Sequence, residues 1–369
     1  MNSVLTEFPI TGVLGSYGKT SISWLLEKIL QANGKRPAVI GSLSIRLGDW
    51  AIAPREKPPS PAELESVLAN FYKGGATGLL IEVSDRALTQ GRMDFLRFQT
   101  GIFANLHDEL ELGSTWLENA RKQTCRFFSE LLAVGSHSPS SCVMNSDDPF
   151  SSEIETPRHA HRFSFGSSRW ADFRYEVLNA TFDGSEFRIH TPDGVYTGET
   201  QLCGPQNISN IVAAICASWT HGVSIPDALG VISRTSAPLG RLEKIPNTRG
   251  LHIFVDDGST LKGLELILAM VRELIHENFR SSQLRVIAGV PPSFSEEQKL
   301  RLKSIVDAYA DHISYVTDDR DRMSSIKRIL EESNSGDVLV LTGKAHLDWQ
   351  SAEGLMTDRN AVMKALEEI

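Results

Sequence analysis

The chain has 369 residues, 22% of them charged and 41% apolar, with a formal net charge of −9. That length accommodates two or three domains with real cores, and the acidic balance argues against a DNA or RNA partner, whose phosphates are met by Lys and Arg. Residues 1–7 lack a signal peptide's basic segment and apolar core, no apolar run reaches the ~20 residues of a membrane span, and Cys125, Cys142, Cys203 and Cys216 form no C-x-x-C pair, so a cytoplasmic protein without a membrane partner is expected.

The first element is the informative one. An apolar run, Phe8-Pro9-Ile10, leads into Gly12-Val13-Leu14-Gly15-Ser16-Tyr17-Gly18-Lys19-Thr20-Ser21. Ile22, Leu25, Leu26, Ile29 and Leu30 then follow at the spacing of one helix face. Strand, glycine loop and helix start together present backbone N–H groups and a positive helix end to a polyphosphate. Lys19 would reach the outer phosphates and the Thr20 hydroxyl would hold Mg²⁺. Val13 stands where the commonest P-loop has its first glycine, so the glycines fit a variant, G-x-x-G-x-x-G-K-[ST].

Strands and helices then alternate. Pro37–Gly41 reads as a strand, Pro61 opens a helix that closes near Gly74, and Gly78–Val83 is a buried strand ending next to the carboxylate of Glu82. Gly101–Asn105 is a further strand, followed by an acidic loop from His107 and a helix carrying Lys122 and Phe127-Phe128. Strands are expected at Leu131–Val134 and Cys142–Asn145. The pattern implies an α/β fold: a doubly wound, mostly parallel sheet with its ligands at the strands' carboxyl ends. From about His161 to Leu202 the turns Asp183-Gly184 and Asp193-Gly194 mark a small antiparallel addition at the sheet edge. Helices follow at Asn207–His221 and Pro226–Ser233. Pro238-Leu239-Gly240-Arg241 is the expected hinge, giving domains 1–239 and 240–369. The second, smaller and Rossmann-like, alternates again: strands at Leu251–Asp256, Leu284–Gly289, Ile313–Thr317 and Val338–Thr342, with helices between them and a helix at the end.

Read in order, these pieces resemble the Mur ligase family, nearest to its UDP-MurNAc-tripeptide synthetase (MurE) branch. The family's G-T-N-G-K-T-[ST] corresponds to Gly15–Ser21, its E-V-S-S-H-A-L to Glu82–Leu88, and its N-A-D-D to Asn145–Asp148. Its T-P-x-G corresponds to Thr191–Gly194, its G-x-x-N-[VI]-x-N to Gly204–Asn210, and its G-R-M-E to Gly240–Glu243. Its G-D-V-x-L-x-x-G-K-G-H-E-D-Y-Q corresponds to Gly336–Gln350. Each motif is weak alone; the ordered set spans nearly the whole chain.

The resemblance implies an ATP-dependent amide ligase. One carboxylate attacks the γ-phosphate, and an amine displaces phosphate from the acyl phosphate so formed, giving ADP. It implies nucleotide contacts at Gly15, Ser16, Gly18, Lys19, Thr20 and Ser21, with Asn207 near the base, Arg241 by the phosphates and Asp256 on the ribose. Asp257 is an alternative to Asp256, and a helix N-cap is the alternative for Asn207. Glu82 joins Thr20 on a metal, unless it is a strand-end salt-bridge residue. Lys122 corresponds to a lysine that CO₂ carbamylates, a reaction needing a neutral amine; otherwise it is a solvated helix residue. The family's metal-binding histidine falls here at Glu109, or at Asp108, with His107 as a slipped ligand or a plain polar loop residue.

The departures concern substrate. The loop begins within a dozen residues of Met1, where the branch has a UDP-sugar domain first. Its G-G-D-R-D is replaced by Gly289–Phe294, its D-N-P-R falls at Thr317–Arg322, and the glutamate after Gly-Lys-Gly-His is Leu347. Arg320 and His346 remain as candidate substrate contacts. The expected substrates are a small carboxylate and an amine rather than diaminopimelate, lysine or a UDP-linked acceptor, acted on by a monomer, with an acceptor-binding protein in trans as a variant. The rival reading is a non-catalytic nucleotide-binding scaffold, favoured by Arg86 in place of the family's histidine and by the loss of D-Y-A-H at Asp256–Ser259.

Overall fold

The structure, a computed structural model, describes residues 9–53, 60–107, 114–132, 140–258, 260–278, 281–351 and 354–369. The chain divides into two compact units at Thr235/Ser236.

The first unit is built on an 11-stranded sheet. Its strands are β1 (Ile10–Leu14), β2 (Pro37–Ile40), β3 (Ile45–Leu47), β4 (Trp50–Ile52), β5 (Gly78–Val83), β6 (Thr100–Phe103), β7 (Ser141–Asn145), β8 (His161–Gly166), β9 (Phe173–Thr181), β10 (Gly184–Thr191) and β11 (Gly194–Thr200). The central strand β1 runs parallel between β5 and β6 and is buried throughout, as an apolar run covered on both faces must be. The helices are α1 (Lys19–Ala32), α2 (Pro61–Lys73), α3 (Asp85–Thr89), α4 (Ser114–Arg126), α5 (Pro205–Thr220) and α6 (Ile225–Ile232). Ser60 starts α2 with a capping box to Glu63, and Ser84 caps α3 through the Ala87 amide. α1 packs on α5, and a core from Ile10 through Ile81 to Phe128 and Phe150 covers one face of the sheet.

Three local expectations change. Gly12 is a paired residue of β1, so the phosphate loop's glycines begin at Gly15. A Cβ on Gly12 would lie 2.7 Å from the Phe127 ring, and one on Gly101 would lie 2.7 Å from the Phe128 ring; these glycines make room for two aromatics. Those aromatics sit in a π-helical turn, Phe127–Leu131, where Leu131–Val134 had been expected to begin a strand. Leu132 makes a single bridge to Phe98, and residues 133–134 of that expected strand lie outside the described residues. Lastly, β8 pairs parallel with β7, so the antiparallel addition is β9 to β11, joined through their two Asp-Gly turns. The hairpin of β3 and β4 was not legible in the alternation.

The second unit carries a five-stranded sheet in the order β12-β13-β16-β14-β15. These are β12 (Glu243–Ile245), β13 (His252–Val255), β14 (Leu284–Gly289), β15 (His312–Val316) and β16 (Val338–Thr342). All pairs are parallel except β12 with β13. Its helices are α7 (Leu261–Asn278), α8 (Glu296–Tyr309), α9 (Arg322–Glu331) and α10 (Asp358–Glu368), and a small hairpin of β17 (Trp349–Ser351) and β18 (Gly354–Met356) precedes α10. Ile253, Leu339, Leu341, Ile326 and Trp349 centre its core.

Candidate active site

β1 ends at Leu14, and α1 begins at Lys19 behind a Gly18 N-cap with φ of +83°, a left-handed conformation that suits glycine. The four residues between them are held from outside. Asn105, just past β6, accepts hydrogen bonds from the Ser16 and Tyr17 amides at 3.0 and 3.1 Å and donates to the Tyr17 carbonyl at 3.0 Å. The Ser16 hydroxyl donates to the His107 carbonyl and accepts from the His107 amide. Lys19 folds back on the loop, donating to the carbonyls of Gly15 and Ser16.

Beside the loop lies an oxygen-rich pocket. Thr20 is buried at the start of α1, and its hydroxyl lies 2.9 Å from the Ser42 hydroxyl and donates to Glu82 Oε2 at 3.0 Å. Glu82 is brought there by β5, in register with Val13 of β1. Gly41 leaves space for it, because a Cβ at that position would collide with Glu82 Oε1. Two hydroxyls and a carboxylate form a hard-oxygen donor set that fits Mg²⁺. Ser42, which no motif singled out, completes the set from the turn after β2. Ser21, the next residue on α1, is buried.

α5 brings its first turns to the same place. Its N-cap is Gly204, correcting the alternative that gave this role to Asn207. Asn207 lies in the first turn, where its Nδ2 donates to the Cys203 carbonyl at 2.9 Å. Asn210, one turn on, presses its side chain against Gly18, where a Cβ would meet Asn210 Oδ1. Tyr175 on β9 hydrogen-bonds Ser209 of α5, and burial, reinforced by Asp147, pushes its phenol up to about 12.

In the second unit, the Gly240-Arg241-Leu242 turn is strained, with Leu242 at φ +49°. Asp256 holds that turn: its carboxylate accepts from the Leu242 amide at 2.8 Å and from the Gly258 amide at 2.9 Å. Burial, then the neighbouring Asp257, raise Asp256 to about 6. Arg241 pairs with Asp257 at 2.8 Å. Both oxygens of Asp256 are thus engaged by the backbone, a structural duty that the ribose assignment did not foresee.

The remaining candidates are more dispersed. Arg320 is exposed and forks onto Asp318, two residues away in the same short turn, holding that carboxyl at about 2. Lys344 pairs with Asp319 at 2.9 Å. His346 is half-buried beside Ala345, whose φ is +50°. Arg322, in contrast, is wholly buried: it forks onto Asp358 with two bonds of 2.6 Å and donates to the Thr342 carbonyl. Asp358 also accepts from the Ala345 amide and the Trp349 indole. Lys122 is exposed on α4. Glu109 and Asp108 lie outside the described residues.

Residues 13–218 match the Mur ligase middle domain, which is more than half of the chain. This chain belongs to the Mur ligase family. A UDP-N-acetylmuramoyl-L-alanyl-D-glutamate–2,6-diaminopimelate ligase from Geobacter metallireducens is 28% identical over 411 residues, covering 98% of this chain and 79% of the relative. Among solved structures, a ligase with that same name superposes with a TM-score of 0.73 at 21% identity, covering 100% of this chain and 80% of the other. A MurF ligase from Thermotoga maritima in complex with ADP gives a TM-score of 0.67 at 16% identity, covering 99% and 80%. These likenesses share the two-sheet α/β fold. Mur ligases are ATP-dependent carbon–nitrogen ligases, and a catalytic Mur ligase fits the chain better than a scaffold derived from one. Among the described residues no helix is long and apolar enough to cross a membrane.

Proposed function

We propose that this Mur ligase joins a small carboxylic acid to an amine, with MgATP converted to ADP and phosphate. The observation that carries the reading is the convergence of Thr20, Ser42 and Glu82 beside a phosphate loop whose lysine rests on backbone carbonyls. In this proposal the Gly18 amide and the start of α1 receive the β- and γ-phosphates, and Lys19 leaves the carbonyls of Gly15 and Ser16 to meet them. Thr20, Ser42 and Glu82 would hold Mg²⁺, which neutralises phosphate charge when bound. Asn207 and Asn210 of α5 line the nucleotide side; within the second unit, Asp256 shapes the turn that carries Arg241. The acid's carboxylate attacks the γ-phosphorus as the bond to the ADP oxygen breaks. The amine then attacks the acyl carbon, loses a proton, and phosphate departs. No step is routed through a carbamate on Lys122. Domains 1–239 and 240–369, a monomer and a cytoplasmic location complete the proposal.

Purified protein incubated with MgATP and pools of acids and amines should release ADP and phosphate only when both substrate classes are present. Release of AMP and pyrophosphate would reject the acyl-phosphate route. ATP binding without turnover for every pair would favour the scaffold reading.

A further inference from the structure

The tip of the phosphate loop is aromatic. Where the Mur ligase loop quoted above has asparagine, this chain has Tyr17, and its ring stacks on His107 with centroids 5.6 Å apart and planes 11° from parallel. The Tyr17 hydroxyl lies 3.4 Å from His107 Nε2. The same stretch of chain is also tied to Ser16 through both its amide and its carbonyl, and to the loop backbone through Asn105.

These ties differ from the one that Lys19 makes. Lys19 holds the loop from inside, through the carbonyls of Gly15 and Ser16. An ammonium that turns to a phosphate releases those carbonyls, and the loop then keeps its shape through its outside contacts alone. Asn105 and Ser16 act on the backbone, whereas the Tyr17 ring ties the loop tip to the segment after β6 through a side-chain stack. A stacked pair of this kind is orientationally selective as well as attractive.

We propose that Tyr17 is a positioning residue: its stacking on His107 keeps the phosphate loop in its phosphate-accepting shape while Lys19 is drawn onto the nucleotide. This rests on the proposed use of ATP, and it adds a residue that a P-loop pattern does not specify. The Tyr17 side chain bonds no reacting atom in this account; it steadies the loop that leads to the Gly18 amide and the start of α1, so its loss weakens nucleotide capture and leaves the chemical step, once the site is saturated, nearly intact.

The test compares Tyr17→Asn, Tyr17→Phe and Lys19→Ala with the unaltered chain, using MgADP as the calorimetric probe. Tyr17→Asn should raise the Kd for MgADP about tenfold, raise KM for ATP in proportion and leave kcat within about twofold. Tyr17→Phe keeps the ring and should restore most of the affinity. Hydrogen exchange should quicken at residues 15–18 in Tyr17→Asn, with the melting temperature little changed. An unaltered MgADP affinity in Tyr17→Asn would overturn the proposal, as would an equal loss in Tyr17→Phe. If the unaltered chain binds no MgADP, the nucleotide reading itself fails; if Lys19→Ala alone loses function, that reading stands and the stacking role falls.

Discussion

The carboxyl ends of the two sheets handle charge in opposite ways. In the first unit Lys19 sits on backbone carbonyls, and Thr20, Ser42 and Glu82 sit on one another. In the second, each cation named above meets a nearby carboxylate: Arg241 with Asp257, Arg320 with Asp318, Lys344 with Asp319, Arg322 with Asp358. An ammonium on neutral carbonyls can turn to an anion without leaving a carboxylate behind, whereas a paired guanidinium must first be separated from its acid. The first arrangement is poised for a ligand, and the second chiefly builds loops.

The sharpest way to break this contrast is Lys19→Ala. ATP turnover should fall by about 100-fold or more while the melting temperature holds; a stability loss of similar size would mean that Lys19 builds the loop rather than serving the nucleotide. Arg322→Leu should do the reverse. It strands Asp358 in a dry interior, costing about 3–5 kcal/mol, and urea titration should show the second unit unfolding early. A variant that melts normally would place Arg322 among the ligand-facing groups instead.

Gly41→Ala probes the oxygen pocket. The added methyl displaces the Glu82 carboxylate, so the Mg²⁺ concentration for half-maximal activity should rise about tenfold. Asp256 sharpens the comparison by pH. Its folded-state value of about 6 lies above the ordinary 3.8, so the native chain holds this proton more tightly than the unfolded one. Its contribution to stability therefore grows as pH falls from about 6 toward 4, and is lost as pH rises through 6. Asp256→Asn should flatten that component of a melting-temperature profile. The smallest effect belongs to Arg320→Ala: the pair is exposed, and neither melting temperature nor kinetics should move.

Much of this could be read from the chain. The loop from Gly15 to Thr20 and the strand ending at Glu82 are local signals, and turn chemistry plus apolar spacing placed most helices and parallel strands within a residue or two. What escaped depends on contacts between distant segments. Gly12 looks like a loop glycine until the Phe127 ring is seen against it. Ser42 carries no motif and becomes a candidate ligand only because β2 and β5 are neighbours. Asp256 and Arg322 carry structural duties that no local signal announces: one accepts from two backbone amides, and the other is a buried tie to Asp358. The π-helical turn at Phe127 has no periodic signature that separates it from the helix before it.

That turn has an evolutionary corollary. The rings of Phe127 and Phe128 occupy volume that side chains on two adjacent strands would otherwise claim, with the phosphate loop springing from one of those strands. Positions 12, 101, 127 and 128 are therefore sterically coupled. In any lineage that enlarges one of the glycines, an aromatic opposite should shrink in step.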